Sequence, residues 1–535
     1  MARAREVADW LHELADRVAF AGDNPFKVRA YREAARRVAL GLLDVNDAGA
    51  LEAAPGIGPK IAAKIAAMAR GEIPPSLVRL RREGPPELSA LLRLPGVGPS
   101  TARRLWTAGI GTLAGLQQAV AVGRDLPGVS PPQRRQLERA FAERAQGVPL
   151  LELLALTQDL REAIPGLSPA GGLRRLDPVV PSPRWVAPAR DASRRAWQEM
   201  QPLRLSAGWT VPPDALVFVP EESLGALLLW HTGPEPFLRE VGEALSAQGL
   251  HLTQRGILAG DAAVPCPDEA EIFRCAGLRF VPPTLRGLPP SVRAAVPVAV
   301  QGDLHTHSTW SDGLEDMASM ARAALARGYH YLAITDHSQG LKVAHGLTPE
   351  RFRAQRQEID EVRGRLPEGF ALLQGCEVDI EADGSLDLPD DLLKELDVVI
   401  ASVHHHFDQS VEVSTRRLVR AIRHPLVTAI GHPGARKLGE RPPIAADWTA
   451  VFAAARDTGT ALELNGSPLR LDLDPQWLAG EVQGLAFVID TDAHSSRELD
   501  YMQLGLAQAQ KAGIRTEQVL NAGPLDALRQ RAHRP

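Results

Sequence analysis

Nine histidine and carboxylate residues in the second half of the chain have the types and spacing of a metal cluster. HTHSTWSDG gives His305-x-His307 and then Asp312. Asp336-His337 closes YLAITDHS, Glu377 lies at the end of ALLQGCEV, His404 follows VVIASV, His432 sits in VTAIGHP, and AFVIDTDAHS holds Asp492-x-His494. Eleven of the 15 histidines fall between His305 and His494, so the imidazoles are concentrated, not scattered. Alternate residues of a strand face the same way, so His-x-His and Asp-x-His each turn two donors to one side. Six imidazoles and three carboxylates suffice for about three metals with open positions, since a catalytic site uses roughly three to four protein ligands. Such a centre generates hydroxide and stabilises a displaced oxygen at phosphorus. Any one of these histidines alone would read as a core or surface residue; nine together do not. His330, His345 and His424 read as structural. His405 and His406 are left open, His406 sharing a face with His404. Asp336 is expected to cap or orient, and Lys342, Arg436 and Arg470 are candidate phosphate clamps.

The elements that must position these donors are legible. From about residue 300, seven strand-like runs (DLHTHS, YLAITDHS, ALLQGCEV, VVIASVHHH, VTAIGHP, ALELNG, AFVIDTDAHS) alternate with helical segments such as MASMARAALARG and WTAVFAAARDTG. That alternation predicts a closed α/β barrel whose strands end at one shared mouth.

Residues 1–145 read instead as short helices with glycine-bearing turns. LEAAPGIGPKIAAKIAAM and LLRLPGVGPSTARRL both have the form helix, Gly-apolar-Gly turn, helix. Gly56 and Gly58, or Gly96 and Gly98, let a backbone approach closely, and the next helix offers free N–H groups to a phosphate. Lys60 and Lys64, or Arg103 and Arg104, would neutralise it. Two copies, each flanked by a basic helix, favour DNA-backbone binding over two ordinary helix joints. A third segment, RDLPGVSPPQRRQL, lacks the second glycine. In the middle of the chain LVFVP and GALLLWHTG read as strand-like, and FLREVGEALSAQG as a helix ending at Gly249. VPPTLRGLPPSVRAAVP reads as a linker.

The bulk numbers agree. A length of 535 residues calls for three or four structural units. Three cysteines, Cys266, Cys275 and Cys376, build neither a disulfide framework nor a zinc knuckle, which fits a reducing compartment. The N-terminus reads as a helix start, not a signal peptide, and no apolar run approaches the roughly 18 residues of a membrane span. A cytoplasmic protein with no membrane partner is expected. Residues 1–145 hold 22 Lys+Arg against 15 Asp+Glu, within a chain of net charge −5. The basic third points to a polyanion.

These motifs resemble the bacterial family X DNA polymerases. NPFKVRAYREAA followed by PGIGPKIAAKI is similar to that family's N-terminal domain. By resemblance Lys27, Tyr31 and Lys60 would hold a 5′-phosphate, and Lys64 matches the Schiff-base lysine of members with lyase activity, the alternative being a phosphate-binding or solvated lysine. AGGLRRLDPVV resembles the palm's Gly-Ser…Arg-Arg turn, ALVFVPEESLGALLLWHTGPEP a later palm strand and the palm–thumb boundary, and AEIFRCAGLRFVPPTLR the end of the thumb. The catalytic carboxylates do not follow. LDPVVPSPRWVAP has no Asp-x-Asp, the third position falls on Ala215, the turn serine is Gly172, and the Thr-Gly-Ser motif reads Thr232-Gly233-Pro234. Asp177, Asp191 and Asp214 are the carboxylates left to substitute, and Arg174 and Arg175 face either a phosphate or solvent. Nearly all of 300–535 resembles the polymerase-and-histidinol-phosphatase (PHP) domain. That resemblance implies one metal on His305, His307, Glu377 and Asp492, a second sharing Glu377 with His404 and His432, and a third on Asp312, His337 and His494. Glu377, His305 and Asp492 would be catalytic.

The expected fold is therefore multidomain α/β. It comprises a helical helix-hairpin-helix region (1–85, lyase-like; 86–145, fingers-like), an α+β nucleotidyltransferase-like degenerate palm (146–235), a thumb (236–285), a linker (286–300) and a distorted (β/α)7 PHP barrel (301–535). The expected function is DNA repair at gaps or 3′ ends by a metal-dependent 3′–5′ exonuclease or phosphoesterase. Mn or Zn, up to three ions, is expected, with Mg as an alternative and no organic cofactor. A monomer is expected. The alternatives are an active gap-filling polymerase taking dNTPs, a non-catalytic DNA-binding scaffold, and a small-molecule phosphatase.

Overall fold

The computed structural model describes residues 2–54, 57–205, 208–294 and 297–532. The chain divides into two compact units, residues 1–283 with 439–442, and residues 284–438 with 443–535.

The first unit begins with two helical cores. Val7, Leu11, Leu14, Tyr31, Ile65 and Met68 form one, and Leu88, Leu91, Leu105, Leu116, Leu137 and Phe141 the other. The hairpin helices Pro59–Ala69 and Pro99–Thr107 each start with proline directly after a glycine, Gly58 or Gly98. Proline at the first helical position costs no hydrogen bond and presets φ. Gly96 has φ +76° and runs against Gln133, whose Cγ would lie 3.0 Å from an added Cβ. Gln133 belongs to the third hairpin's helix, Pro131–Arg144, capped by Ser130 in a reciprocal capping box.

A three-stranded mixed sheet follows, β1 (Ser168–Ala170), β2 (Arg184–Pro188) and β3 (Leu216–Val219), with β2 and β3 parallel. GALLLWHTG is not a strand: Leu224–Thr232 is an α-helix. It is apolar all round and Leu227, Leu228 and Leu229 are all buried, so no periodicity distinguishes it from a buried strand, and Leu and Ala, not β-branched residues, fill it. FLREVGEALSAQG is helical as expected over Glu235–Ser246, and Gly249 follows with φ +73°. A small antiparallel meander follows, β4 (His251–Thr253), β5 (Gly256–Ala259) and β6 (Ala262–Val264), and then the helix Glu269–Cys275.

The second unit is the seven-stranded parallel barrel. Its strands are β7 (Gly302–Thr306), β8 (Tyr331–Ile334), β9 (Ala371–Asp379), β10 (Val398–Ser402), β11 (Ala429–Ile430), β12 (Ala461–Asn465) and β13 (Phe487–Asp490), arranged in chain order. The seam between β7 and β13 is closed by a parallel bridge from Thr306 to Ala493, by Leu304 N–H donating to Asp490 Oδ1 (2.8 Å), and by Thr491 Oγ1 donating to Asp303 Oδ2 (2.5 Å). Strands buried on both faces read as continuous apolar runs, as VVIAS and FVID do. No described helix is long and apolar enough to cross a membrane.

Candidate metal centre

The nine predicted donors meet where the barrel strands end. His305 and His307 flank the end of β7, Glu377 lies in β9, and His337, His404, His432, Asp492 and His494 follow the ends of β8, β10, β11 and β13. Three groups of donor atoms converge closely enough to share an ion: His307, Asp312, His337 and His494; His305, His307 and Glu377; and His337, Glu377 and His404. Glu377 is the hub. Its Oε1 lies 2.9 Å from His432 Nε2 and 3.2 Å from His404 Nε2, and its Oε2 lies 2.8 Å from His337 Nδ1 and 3.4 Å from His305 Nε2. Asp492 Oδ1 faces His307 Nε2 at 3.2 Å, and Asp312 Oδ1 faces His494 Nε2 at 3.4 Å.

The donor set fits divalent cations. His305 Nε2, His307 Nε2, His337 Nδ1, His404 Nε2 and Glu377 Oε2 are buried atoms without a hydrogen-bond partner in the protein, all turned into one cluster. Orphaned polar atoms at this density call for a ligand. Two donors, His432 and Asp492, also hold left-handed backbone conformations, φ 28° and 56°, which costs of order 1–3 kcal/mol each and clusters at functional sites.

Electrostatics split the histidines. Burial and the neighbouring His494 and His337 push His307 down to about 3, and burial with the Arg470 guanidinium pushes His432 down to about 4. For His337 burial is outweighed by Glu377 and Asp312, which raise it to about 9. His305 also rises well above the ordinary imidazole value against burial, because Glu463, Glu377 and Asp492 surround it. Against burial, His404, His305 and His337 hold Glu377 well below the usual carboxylate range.

Around the donors lies a layer the motif reading missed. Glu463 Oε1 sits 2.6 Å from His305 Nδ1, and its other oxygen accepts from the His432 backbone N–H. Asp379 Oδ1 sits 2.5 Å from His404 Nδ1. Such partners fix tautomer and ring orientation. Their signal was present: Asp379 is two residues from Glu377 on the same face of β9, and Glu463 alternates with Asn465 in β12. Asp336 orients, as expected, accepting from Ser308 N–H (2.8 Å), Ser308 Oγ and Gln355 Nε2 (2.6 Å). His406 is exposed, and His405 is the one that approaches Asp379, at 3.8 Å. His424 pairs with Asp390 at 3.2 Å, and His330 and His345 are exposed.

Of the three candidate phosphate clamps, Arg436 is committed internally, to Asp474 (2.7 Å) and the Arg470 carbonyl (2.9 Å). Lys342 is exposed in the loop after β8. Arg470 lies in the cluster, its Nε 3.1 Å from Asp492 Oδ2.

In the first unit, Gly58, Lys60, Gly98, Arg103 and Arg104 are exposed at the two hairpin turns, as is Gly96; Gly56 lies outside the described residues. Lys64 Nζ donates to Tyr31 Oη at 3.0 Å, while Lys27 is exposed and pairs with Asp23 at 2.9 Å. The turn at Gly171–Arg175 is filled from within. Arg174 makes a bidentate pair with buried Glu269 (2.8 and 2.7 Å), and Arg175 binds Asp177 (2.7 Å) and the Thr232 carbonyl (2.7 Å). Both arginines are part-buried and committed to these internal partners. A Cβ on Gly172 would lie 2.8 Å from Asp177 Oδ2. Ala215 is buried, and Asp191 and Asp214 are exposed. Among the described residues, every His/Asp/Glu group with metal-binding spacing lies in the barrel.

Comparison with known proteins finds four family models along the chain. Family models match as helix-hairpin-helix domain (residues 3–72), SAM-like helix-hairpin-helix tandem (88–136), DNA polymerase beta thumb (227–287) and PHP domain (303–465). The chain is 32% identical to the DNA polymerase/3′-5′ exonuclease PolX of Bacillus subtilis (strain 168), over 97% of this chain and 98% of that protein. The chain belongs to the bacterial family X DNA polymerases. The tandem match spans the third hairpin, doubtful from its single glycine, and the thumb match covers the helix Glu235–Ser246 and the meander. The barrel of this family X member is also similar to probable phosphatases: 31% identity to one from Thermoanaerobacter sp. (strain X514), over 41% of this chain and 89% of that protein, and 35% to one from Caldanaerobacter subterraneus, over 31% and 62%.

Proposed function

We propose that this family X member is a repair enzyme that trims 3′ ends of gapped or broken DNA in its PHP barrel, with a palm that no longer polymerises. The observation that carries the reading is Glu377, a buried carboxylate whose two oxygens face four imidazoles from four strands. His305, His307, Glu377 and Asp492 would hold one cation, Glu377 with His404 and His432 a second, and Asp312, His337 and His494 a third. The mixed imidazole–carboxylate set suits Mn or Zn, and Mg less. Bound cations supply Lewis acidity and an activated water at phosphorus. The protein's own contribution is orientation: Glu463 and Asp379 set the His305 and His404 rings, and burial keeps bulk water from the donors. Glu377, His305 and Asp492 are assigned as the catalytic residues.

The exposed turns at Gly58 and Gly98, with Lys60, Arg103 and Arg104, support backbone contacts to DNA near a gap. Lys27, Tyr31 and Lys64 are assigned to a 5′-phosphate. Lys64 donates to Tyr31, which suits a binding role as well as a lyase nucleophile. The domain boundaries at 85, 145, 235, 285 and 300, the monomeric state and a cytoplasmic location belong to the same reading.

A second reading, an active gap-filling polymerase, is favoured by the name of the B. subtilis relative, a DNA polymerase/3′-5′ exonuclease. The ion pairs that occupy the palm turn, and the absence of an Asp-x-Asp there, weigh against it. One experiment separates them: labelled gapped or 3′-recessed DNA with Mn²⁺ and dNTPs, beside a His305→Ala variant. Shortened products that vanish in the variant support the first reading. Extended products that persist in the variant overturn it.

A further inference from the structure

We infer that Arg470 is a phosphate-binding residue of the barrel site, donating from Nη1 to a phosphoryl oxygen of the ester being hydrolysed while its Nε holds Asp492. The inference deepens the proposed phosphoesterase reading and rests on it. Arg470 lies in the loop that follows β12, and its side chain is only 12% exposed. Its Nε donates to Asp492 Oδ2 at 3.1 Å, and the other Asp492 oxygen faces His307 Nε2 at 3.2 Å. Its Nη1 is buried and has no hydrogen-bond partner in the protein.

Two facts argue that this nitrogen awaits an acceptor. First, a buried guanidinium N–H left unsatisfied is costly, more so than a neutral donor. Secondly, the loop is built to hold the side chain in place. The Ser467 carbonyl accepts from both the Arg470 and Leu471 N–H groups (2.8 Å each), and Arg436, itself paired with Asp474, grips the Arg470 carbonyl at 2.9 Å. Neutralising Asp492 alone would need only a point charge. A planar fork instead offers two acceptors fixed relative directions, the geometry that suits a carboxylate on one side and a phosphoryl oxygen on the other.

The test uses the full-length, metal-loaded protein and two variants, Arg470→Lys and Arg470→Gln. Inorganic phosphate is the probe, titrated calorimetrically, with bound metal measured in parallel by elemental analysis. Hydrolysis of bis(p-nitrophenyl) phosphate is followed separately. Both variants should keep the wild-type metal content and bind phosphate about 10- to 100-fold more weakly, the loss expected for a hydrogen bond to a charged group. Unchanged phosphate affinity in Arg470→Gln overturns the inference, as does a wild-type protein that binds no phosphate. So does a loss of phosphate binding that tracks a loss of metal and is restored by excess metal, since Arg470 would then only brace Asp492. If the wild type binds phosphate through Arg470 and cleaves the small ester but leaves DNA ends untouched, the DNA-trimming reading fails while the Arg470 assignment stands.

Discussion

Replacing Glu463 by glutamine probes how far the metal donors depend on their supports. The two side chains are nearly isosteric, so packing is retained. The hydrogen bonding is not. Glu463 serves three neighbours at once, His305 Nδ1 at 2.6 Å on one oxygen and the His432 backbone N–H and Asn465 Nδ2 (3.2 Å) on the other, in a fully buried position. As acceptor it places the proton on Nδ1 and leaves Nε2 of His305 free to ligate. Glutamine has one acceptor and one donor. With its oxygen on His305, its amide faces the His432 N–H, donor against donor. With the amide turned to His305, the tautomer inverts and Nε2 carries the proton. Either way one buried group loses its partner, at about 1–3 kcal/mol, which matches the 10- to 100-fold loss in metal affinity usual for such supporting partners. Chelator-competition titration of Mn²⁺ should therefore show about 10- to 100-fold weaker binding in Glu463→Gln, with nuclease activity recovered at high Mn²⁺. Binding within about 2-fold of wild type would refute the reasoning, because the imidazole would then be held by packing alone.

Further outcomes follow from the same geometry. His307 and His432, held down at about 3 and about 4, are neutral when folded, so the unfolded chain binds more protons and stability falls as pH drops from about 6.5 through about 4. His337, raised to about 9, contributes stability that is full below about 6.5 and is lost as pH rises through about 9. The chelated protein should therefore show its highest Tm near pH 6.5 in a calorimetric pH series; a monotonic rise to pH 9 would contradict the His337 assignment, and a flat Tm between pH 4 and 6.5 the assignments of His307 and His432. At the Arg174 turn, Glu269→Ala leaves Arg174 without its carboxylate and should destabilise the first unit by about 3 kcal/mol, read by urea unfolding; a change below about 1 kcal/mol would mean that the pair is solvated. Gly172→Ser should cost about 1–3 kcal/mol by overpacking, and Asp177→Ala in the same chain should recover most of it, since the clash is with Asp177 Oδ2. Lys60→Ala should weaken gapped-DNA binding and lower the slope of log K against log salt by about 1; an unchanged slope would remove Lys60 from the DNA contact.

The barrel and its donors were legible because both follow from strand geometry. A parallel strand buried on both faces must be apolar until it ends, so a polar residue at its C-terminal end stands out, and HTH, DTDAH and GCEV announce both strand and site. The supports were harder to see. Glu463 and His305 are 158 residues apart, and Arg174 and Glu269 are 95 apart; no local pattern joins them, and each looks like a solvated charge until the chain is folded. GALLLWHTG misled for the opposite reason: a segment apolar on every side carries no period, and only its Leu and Ala content, with no Val or Ile, speaks for the helix. In the palm the missing Asp-x-Asp was visible in the sequence. What fills its turn, Asp177 and Glu269 on the paired arginines, was not.

The seam between β7 and β13 bears on when the protein can become active during synthesis. His305 and His307 stand on one side of it, Asp492 and His494 on the other, and the seam itself is tied by Asp303, Asp490 and the Asn521 amide, which donates to the Gly302 and Ile489 carbonyls at 2.9 and 2.7 Å. The centre is thus shared between the earliest and latest parts of the barrel to leave the ribosome. Donors from β7 to β11 can assemble early, yet the two acidic and imidazole groups that complete the set arrive almost 190 residues after His305. The ion sets that include Asp492 or His494 are therefore completed only with the last strand, and binding free energy gained across that seam is folding free energy. The helical region that grips DNA emerges first and can fold as a unit; hydrolysis must wait for the last strand.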